Sequence, residues 1–109
     1  MTLSHRAEQA KPEETRGLVE ELWRRIGEYE WEDGTVWRQL LDIDTPEAHL
    51  AAAMMLVPDG WKWRIMPADS RTAWLVEVWQ NDDEDGEFGA RGVTPALAMI
   101  AAIARSQGL

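Results

Sequence analysis

Hydrophobic residues along the chain follow helical spacing first, then strand alternation, then helical spacing again. Leu18, Leu22 and Ile26 fall on one stripe of a helix that begins near Pro12, a residue that suits the first turn. A second, short helix is predicted over residues 35–44, where apolar residues recur four positions apart. Each of these helices is apolar on one side only and therefore needs an element to pack against.

Two Thr-Pro pairs predict the starts of two further helices. Thr45 and Thr94 each suit the N-cap position, where a side-chain oxygen accepts a backbone N–H, and a proline directly follows each of them. The helix after Thr45 is expected to end before Pro58, because the residue before a proline disfavours helical geometry. Asp59 and Gly60 then form a turn signal that reverses the chain.

The stretch after this turn, residues 61–65, is predicted to be a strand with one wet face. Trp61, Trp63 and Ile65 point one way, and the two residues between them are basic. Large aromatic side chains bury much area each, so a small domain can be stabilised by few of them. We therefore expect Trp63 to be largely buried against a helix layer rather than to bind a ligand.

The next strand, residues 72–79, is apolar on both sides, which is typical of a strand covered on both faces. Glu77 is its one charged residue and needs a partner such as Arg64 or Arg91. A third, short strand is predicted over residues 88–92.

The predicted fold class is α+β, a three-stranded antiparallel meander covered by helices on both faces as an α/β/α sandwich. Residues 1–11 are polar without periodicity and are predicted to be a flexible N-terminal arm. Residues 12–109 are predicted to form a single domain.

Composition excludes several classes of function. The net charge is −9, and such a surface repels nucleic acid phosphates and anionic membranes. The absence of cysteine excludes disulfides and thiolate chemistry. With no apolar stretch of membrane-spanning length and no signal-like start, the expected location is cytoplasmic.

No catalytic, metal or cofactor site is predicted. His5 and His49 lack ligand-spaced companions, and no serine stands in a nucleophile context. The stretch that begins at Asn81 resembles a calcium loop, but its twelfth place is Gly92 instead of a bidentate glutamate. The helix and strand order from Thr45 onward also matches a double-stranded-RNA-binding domain, which the acidic charge argues against.

The acidic residues form two stretches, which are the predicted partner-binding site. Acidic patches of this kind suit an Arg/Lys-rich partner, although they also keep a protein soluble. The predicted residues are Glu28, Glu30, Glu32 and Asp33 in the first acidic stretch, and Asp82, Asp83, Glu84 and Asp85 in the second acidic stretch.

Two motifs resemble those of a known family. "HLAAAMMLVPDGWKWRI" is similar to the "aALxLvPeGWxW" signature of small phage and prophage proteins with the phage ABA sandwich domain, and "GVTPALAMIAAIARS" resembles their close, "ATPALALxAAALRA". "GLVEELWRRI" and "DGTVWRQLL" resemble their N-terminal helical part. The resemblance implies α/β/α layers and a bacteriophage or prophage origin, and it supplies no activity or catalytic residues.

The expected function is that of a non-enzymatic phage or prophage protein, active in the cytoplasm of a bacterial host. It would bind and inhibit a host defence complex, as an anti-CRISPR protein and DNA mimic does, with its acidic stretches on a basic nucleic-acid-binding surface. The expected partner is a basic host protein or ribonucleoprotein complex, without direct nucleic acid or membrane binding. The alternatives are a phage structural or assembly protein acting as a homo-oligomer and, more remotely, an enzyme.

Overall fold

A computed structural model of the chain describes residues 1–26, 34–68, 73–80 and 87–109. These residues contain five α-helices, three β-strands and a 3₁₀ turn that precedes the second helix. The elements are α1 (Leu3–Gln9), the 3₁₀ turn (Pro12–Glu14), α2 (Thr15–Ile26), α3 (Gly34–Ile43), α4 (Pro46–Met54), β1 (Trp61–Pro67), β2 (Trp74–Gln80), β3 (Phe88–Gly92) and α5 (Pro95–Ser106).

Both Thr-Pro helix starts are confirmed. The Thr45 hydroxyl accepts the N–H of Ala48 at 3.2 Å, and the Thr94 hydroxyl accepts the N–H of Leu97 at 3.2 Å. The turn into β1 is confirmed as well, since Gly60 has a φ of 81°, a conformation that residues with a Cβ rarely adopt. These local signals therefore fix where α4, β1 and α5 begin.

The sheet has the order β1-β2-β3 with both pairs antiparallel. Trp63 lies opposite Val78, and Val76 lies opposite Ala90. Helices pack against this sheet, so the predicted α+β class and antiparallel meander are confirmed.

Helix α5 is the centre of the core. Every residue from 96 to 104 is buried, and the helix contacts α1, α2 and α4 as well as β2 and β3. A helix that is apolar on all sides is stable only when neighbours surround it. Five of these nine buried residues are alanines, whose small side chains let neighbouring elements approach closely.

The two faces of the sheet differ. The covered face carries Val76, Val78 and Ala90, all at most 2% exposed beneath α5. The open face carries the half-buried side chains that alternate with Val76 and Val78 along β2, together with Arg64 of β1. Within the described residues, the helices in extensive contact with the sheet are α5 and, beside β3, α1. A second helix layer over the open face, expected from the sequence, is therefore not found in this part of the chain.

The expectation that Trp63 is largely buried against a helix is wrong. Its side chain belongs to the covered face, yet it is 40% exposed. Trp63 lies on β1, the edge strand, whereas α5 lies over β2 and β3. Its neighbours on the same face, Trp61 and Ile65, pack against the core, whereas Trp63 between them stays exposed.

The structure also differs from the predicted flexible arm. Residues 3–9 form α1, in which Leu3 and Ala7 are buried against α5. The Glu8 carboxylate accepts the N–H of Arg91 at 3.1 Å and forms an ion pair with Arg105. The apolar surface of α1 is too short to give a periodic signal in the sequence. Its helical structure therefore depends on tertiary contacts, which the sequence pattern does not reveal.

Candidate functional site: three clefts beside the second helix

The eight predicted partner-binding residues lie outside the described residues. The first acidic stretch falls between α2 and α3, and the second acidic stretch falls between β2 and β3.

The described residues that directly precede the two stretches line the same cleft. Ile26, which directly precedes the first gap, and Gln80, which directly precedes the second gap, line a single cleft of about 560 Å³. We call it the C-terminal cleft, because the ends of three helices border it. Its remaining lining residues are Met55, Leu56, Val57, Pro58, Asp59, Trp61, Ser106 and Gln107.

The helices that border the C-terminal cleft run in one direction. α2, α4 and α5 end there, and their first residues surround another cleft of about 460 Å³ lined by Thr15, Pro46 and Ala96. Each helix carries a partial negative charge at its C-terminal end. Three such ends meet at this cleft, so the helices contribute negative potential there.

A buried histidine lies at the opposite end of these helices. His49 is 8% exposed, and its Nε2 lies 2.7 Å from an Asp44 carboxylate oxygen. Asp44 has a φ of 56°, which asparagine and aspartate tolerate better than other residues with a Cβ. Across the described residues, no group of three or more potential ligands is placed to hold a metal ion. The pair thus joins the turn before α4 to that helix.

A third cleft, of about 490 Å³, lies between α2 and α3, and we call it the arginine cleft. Trp23 and Trp37 stack in its wall, with ring centroids 4.4 Å apart and planes inclined by 23°. Trp37 is 4% exposed, and its indole N–H is buried without an acceptor among the described residues. The remaining lining residues are Arg16, Glu20, Arg24, Arg38, Leu41 and Asp42.

The three arginines of this cleft are in different electrostatic situations. Arg16 lies 3.5 Å from Glu20 and 3.8 Å from Asp42, so nearby acids already balance it. Arg24 and Arg38 are exposed and form no ion pair with any part of the chain that the structure describes. In a chain with nearly twice as many acidic as basic residues, two unpaired arginines in one cleft are unexpected.

A carboxylate on the open face shows what pairing does elsewhere. The Arg64 guanidinium donates to Glu77 at 2.9 Å, as the sequence predicted for one of two candidate partners. This hydrogen bond holds the pKa of the Glu77 carboxyl below its usual value, although partial burial acts in the opposite direction. Arg64 also lies 5.4 Å from the centre of the Trp79 ring, within reach of a cation–π contact.

Sequence reasoning missed the arginine cleft because its residues come from two separate helices. Arg16, Trp23 and Arg24 are seven and eight positions apart, which places them on one side of α2. That side could be found from the sequence. Its contact with Trp37 depends on how α3 docks, and helical periodicity does not give that.

Comparisons with known protein families, with curated proteins and with solved structures found no match for this chain. The family resemblance described above therefore stays a prediction. None of the helices in the described part of the chain combines the length and apolar character of a membrane span.

Proposed function

We propose that this chain is a non-enzymatic phage or prophage protein that inhibits a host defence complex, in the manner of an anti-CRISPR protein. The observation that supports it most is the convergence at the C-terminal cleft. Both acidic stretches start from residues of this cleft, Ile26 and Gln80, and three helices end around it. In this proposal, the two stretches, which are far apart in sequence, act together on one partner.

A concentrated negative end suits a partner that normally binds nucleic acid. The two stretches bring eight carboxylates, and Asp59 in the cleft adds one more. Such a surface attracts a basic channel over a distance set by ionic screening, about 8–10 Å at physiological salt. The partner is a basic protein or ribonucleoprotein complex of the bacterial cytoplasm, and the mechanism is occupation of its nucleic-acid-binding surface.

The test begins with capture of a partner from bacterial host lysate at two salt concentrations. Reversal of Asp82, Asp83, Glu84 and Asp85 to lysine should then abolish binding to the captured partner. Affinity should fall as salt rises, and added nucleic acid should displace the wild-type protein.

Two double charge reversals test whether binding depends on the position of the acidic residues or only on the net charge of the protein. Asp82→Lys with Asp83→Lys should weaken binding at least about tenfold. Glu13→Lys with Glu47→Lys changes the net charge equally but alters exposed residues at the other end of the helices, and should leave affinity nearly unchanged. The proposal is contradicted if the variant with all four acids reversed is folded and binds the partner as well as wild type does, and if nucleic acid does not displace the wild-type protein. Another surface would then carry the contact.

A structural or assembly role through homo-oligomerisation is the second candidate. The observation that favours it is Trp63, a 40% exposed tryptophan on the edge strand β1. An exposed edge strand offers unpaired backbone groups to a second chain. Sedimentation of wild type and Trp63→Lys across a concentration series tests this role: self-association that the variant lacks supports it, and a monomer at all concentrations excludes it.

A further inference from the structure

Within the described residues, the arginine cleft holds two guanidinium groups that form no ion pair, those of Arg24 and Arg38. We propose that it binds a small organic anion, whose phosphate or carboxylate group is held by Arg24 and Arg38 while its apolar part lies against Trp23. This site differs from the proposed partner-binding surface in its residues and in the sign of their charge. The two proposals are therefore tested independently.

The guanidinium groups supply the charge selectivity. Arg24 and Arg38 each present donors in a planar fork that matches carboxylate and phosphate oxygens. Both are exposed and without an ion pair in the described residues, so neither has to give up an existing partner. Arg16 is held by Glu20 and Asp42 and shapes the wall between them.

Trp37 lies in the wall of the same cleft and provides a way to detect a ligand. Its indole N–H is buried and has no acceptor among the described residues. This N–H therefore does not contact a molecule in the cleft, but its resonance reports on changes in the wall beside Arg24 and Arg38.

The size and composition of the cleft favour a small anion over a polymer. Its volume of about 490 Å³ lies in the range of ordinary small-molecule sites. Glu20 and Asp42 in its walls, together with the net charge of −9, would repel an extended polyanion such as nucleic acid. The stacked indoles offer an apolar surface for a ring or short aliphatic group.

The experiment uses phenyl phosphate and benzoate as probes, with phenol as the uncharged control. Titrations are followed by NMR through the indole N–H resonance of Trp37, identified by its loss in Trp37→Phe. A saturable shift with a dissociation constant of about 1 mM or below is expected for at least one anion and not for phenol. Binding of phenyl phosphate alone assigns a phosphate ligand, and binding of benzoate alone assigns a carboxylate ligand.

Two variants separate the site from general charge. Arg24→Gln with Arg38→Gln should weaken binding at least about tenfold, since both guanidinium contacts are lost. Arg25→Gln is the matched control, because Arg25 follows Arg24 on α2 but pairs with Glu21 at 3.1 Å. The proposal fails if neither anion shifts the resonance at about 10 mM, if phenol acts as strongly, or if the double variant binds like wild type.

Discussion

The two faces of the sheet share the same three strands but depend on different kinds of contact. On the covered face, Val76 and Val78 are fully buried beneath α5. On the open face, Arg64 joins Glu77 at 2.9 Å and lies over Trp79. Burial of apolar area is worth far more than an exposed ion pair. One face therefore supplies stability, whereas the other can change at little cost.

The largest effect should come from placing one carboxylate on each face. Val78→Asp buries an unpaired charge under α5 and should cost about 4 kcal/mol or more, enough to unfold a marginal domain. Leu75→Asp places the same group on the open face, opposite Arg91, and should cost about 1–2 kcal/mol. Urea denaturation checks both values, and equal losses would show that the open face is covered in solution.

Two glycines of β3 give a second test of the same difference. A Cβ at Gly92 would lie 2.5 Å from the backbone nitrogen of Ala98 in α5, so Gly92→Ala should destabilise by about 1–3 kcal/mol. A Cβ at Gly89 would meet Glu77 and Leu75 side chains at 3.6 Å and beyond, and Gly89→Ala should change stability by about 0.5 kcal/mol or less. Thermal melts of the two variants provide the comparison; a milder effect at Gly92 would mean that α5 shifts to make room.

A substitution of Trp63, at the edge of the covered face, should destabilise the protein less. Trp63→Ala removes a side chain that is 40% exposed, so the expected loss is about 1–2 kcal/mol. Trp37→Ala is the buried comparison and should cost about 3–5 kcal/mol. Denaturant midpoints measure both; a loss at Trp63 as large as at Trp37 would indicate that a partner or second copy covers it.

The smallest effect concerns the ion pair of the open face. Because Arg64 lowers the pKa of Glu77, the pair stabilises the fold above the unfolded-state value of about 4.3. This stabilisation is lost as pH falls through the lower folded-state value. Glu77→Gln should therefore lose less stability than wild type between about pH 7 and pH 3.

The control for this pH series is Glu13→Gln. Glu13 is exposed and has no ion pair within the described residues, so this variant should follow the wild-type curve. Parallel curves for wild type and Glu77→Gln would mean that the Arg64 contact does not persist in solution.

Local signals made much of this fold predictable. The N-caps at Thr45 and Thr94, the turn at Gly60 and the alternation through β1 each depend on a few neighbouring residues. Docking was harder to predict. In α4 the buried residues are Ala48, His49, Ala52 and Ala53, whereas the larger Leu50 and Met54 are only partly buried. The small alanines allow α4 to approach α5 closely, a gain that a count of hydrophobic residues does not register.

The candidate sites were hard to predict for the same reason, because they too depend on how the elements dock. The acidic stretches were evident from composition, yet only the tertiary structure shows that Ile26 and Gln80 line one cleft. Likewise, Trp23 and Trp37 are ordinary core candidates in the sequence, and their stacking beside two free arginines depends on how two helices dock. Helix and strand periodicity predicts which side of an element is apolar, but not which other element it meets.

The central position of α5 has a consequence for folding during synthesis. All the elements that α5 contacts precede it in the chain, and the ion pair between Glu8 and Arg105 joins residues 97 positions apart. While a ribosome extends the chain, α1, α2, α4 and the meander thus lack the helix that buries their apolar surfaces. Non-local contacts of this kind slow folding and leave hydrophobic surface exposed to chaperones. Cooperative folding is therefore expected only after residues 95–106 have left the ribosomal exit tunnel.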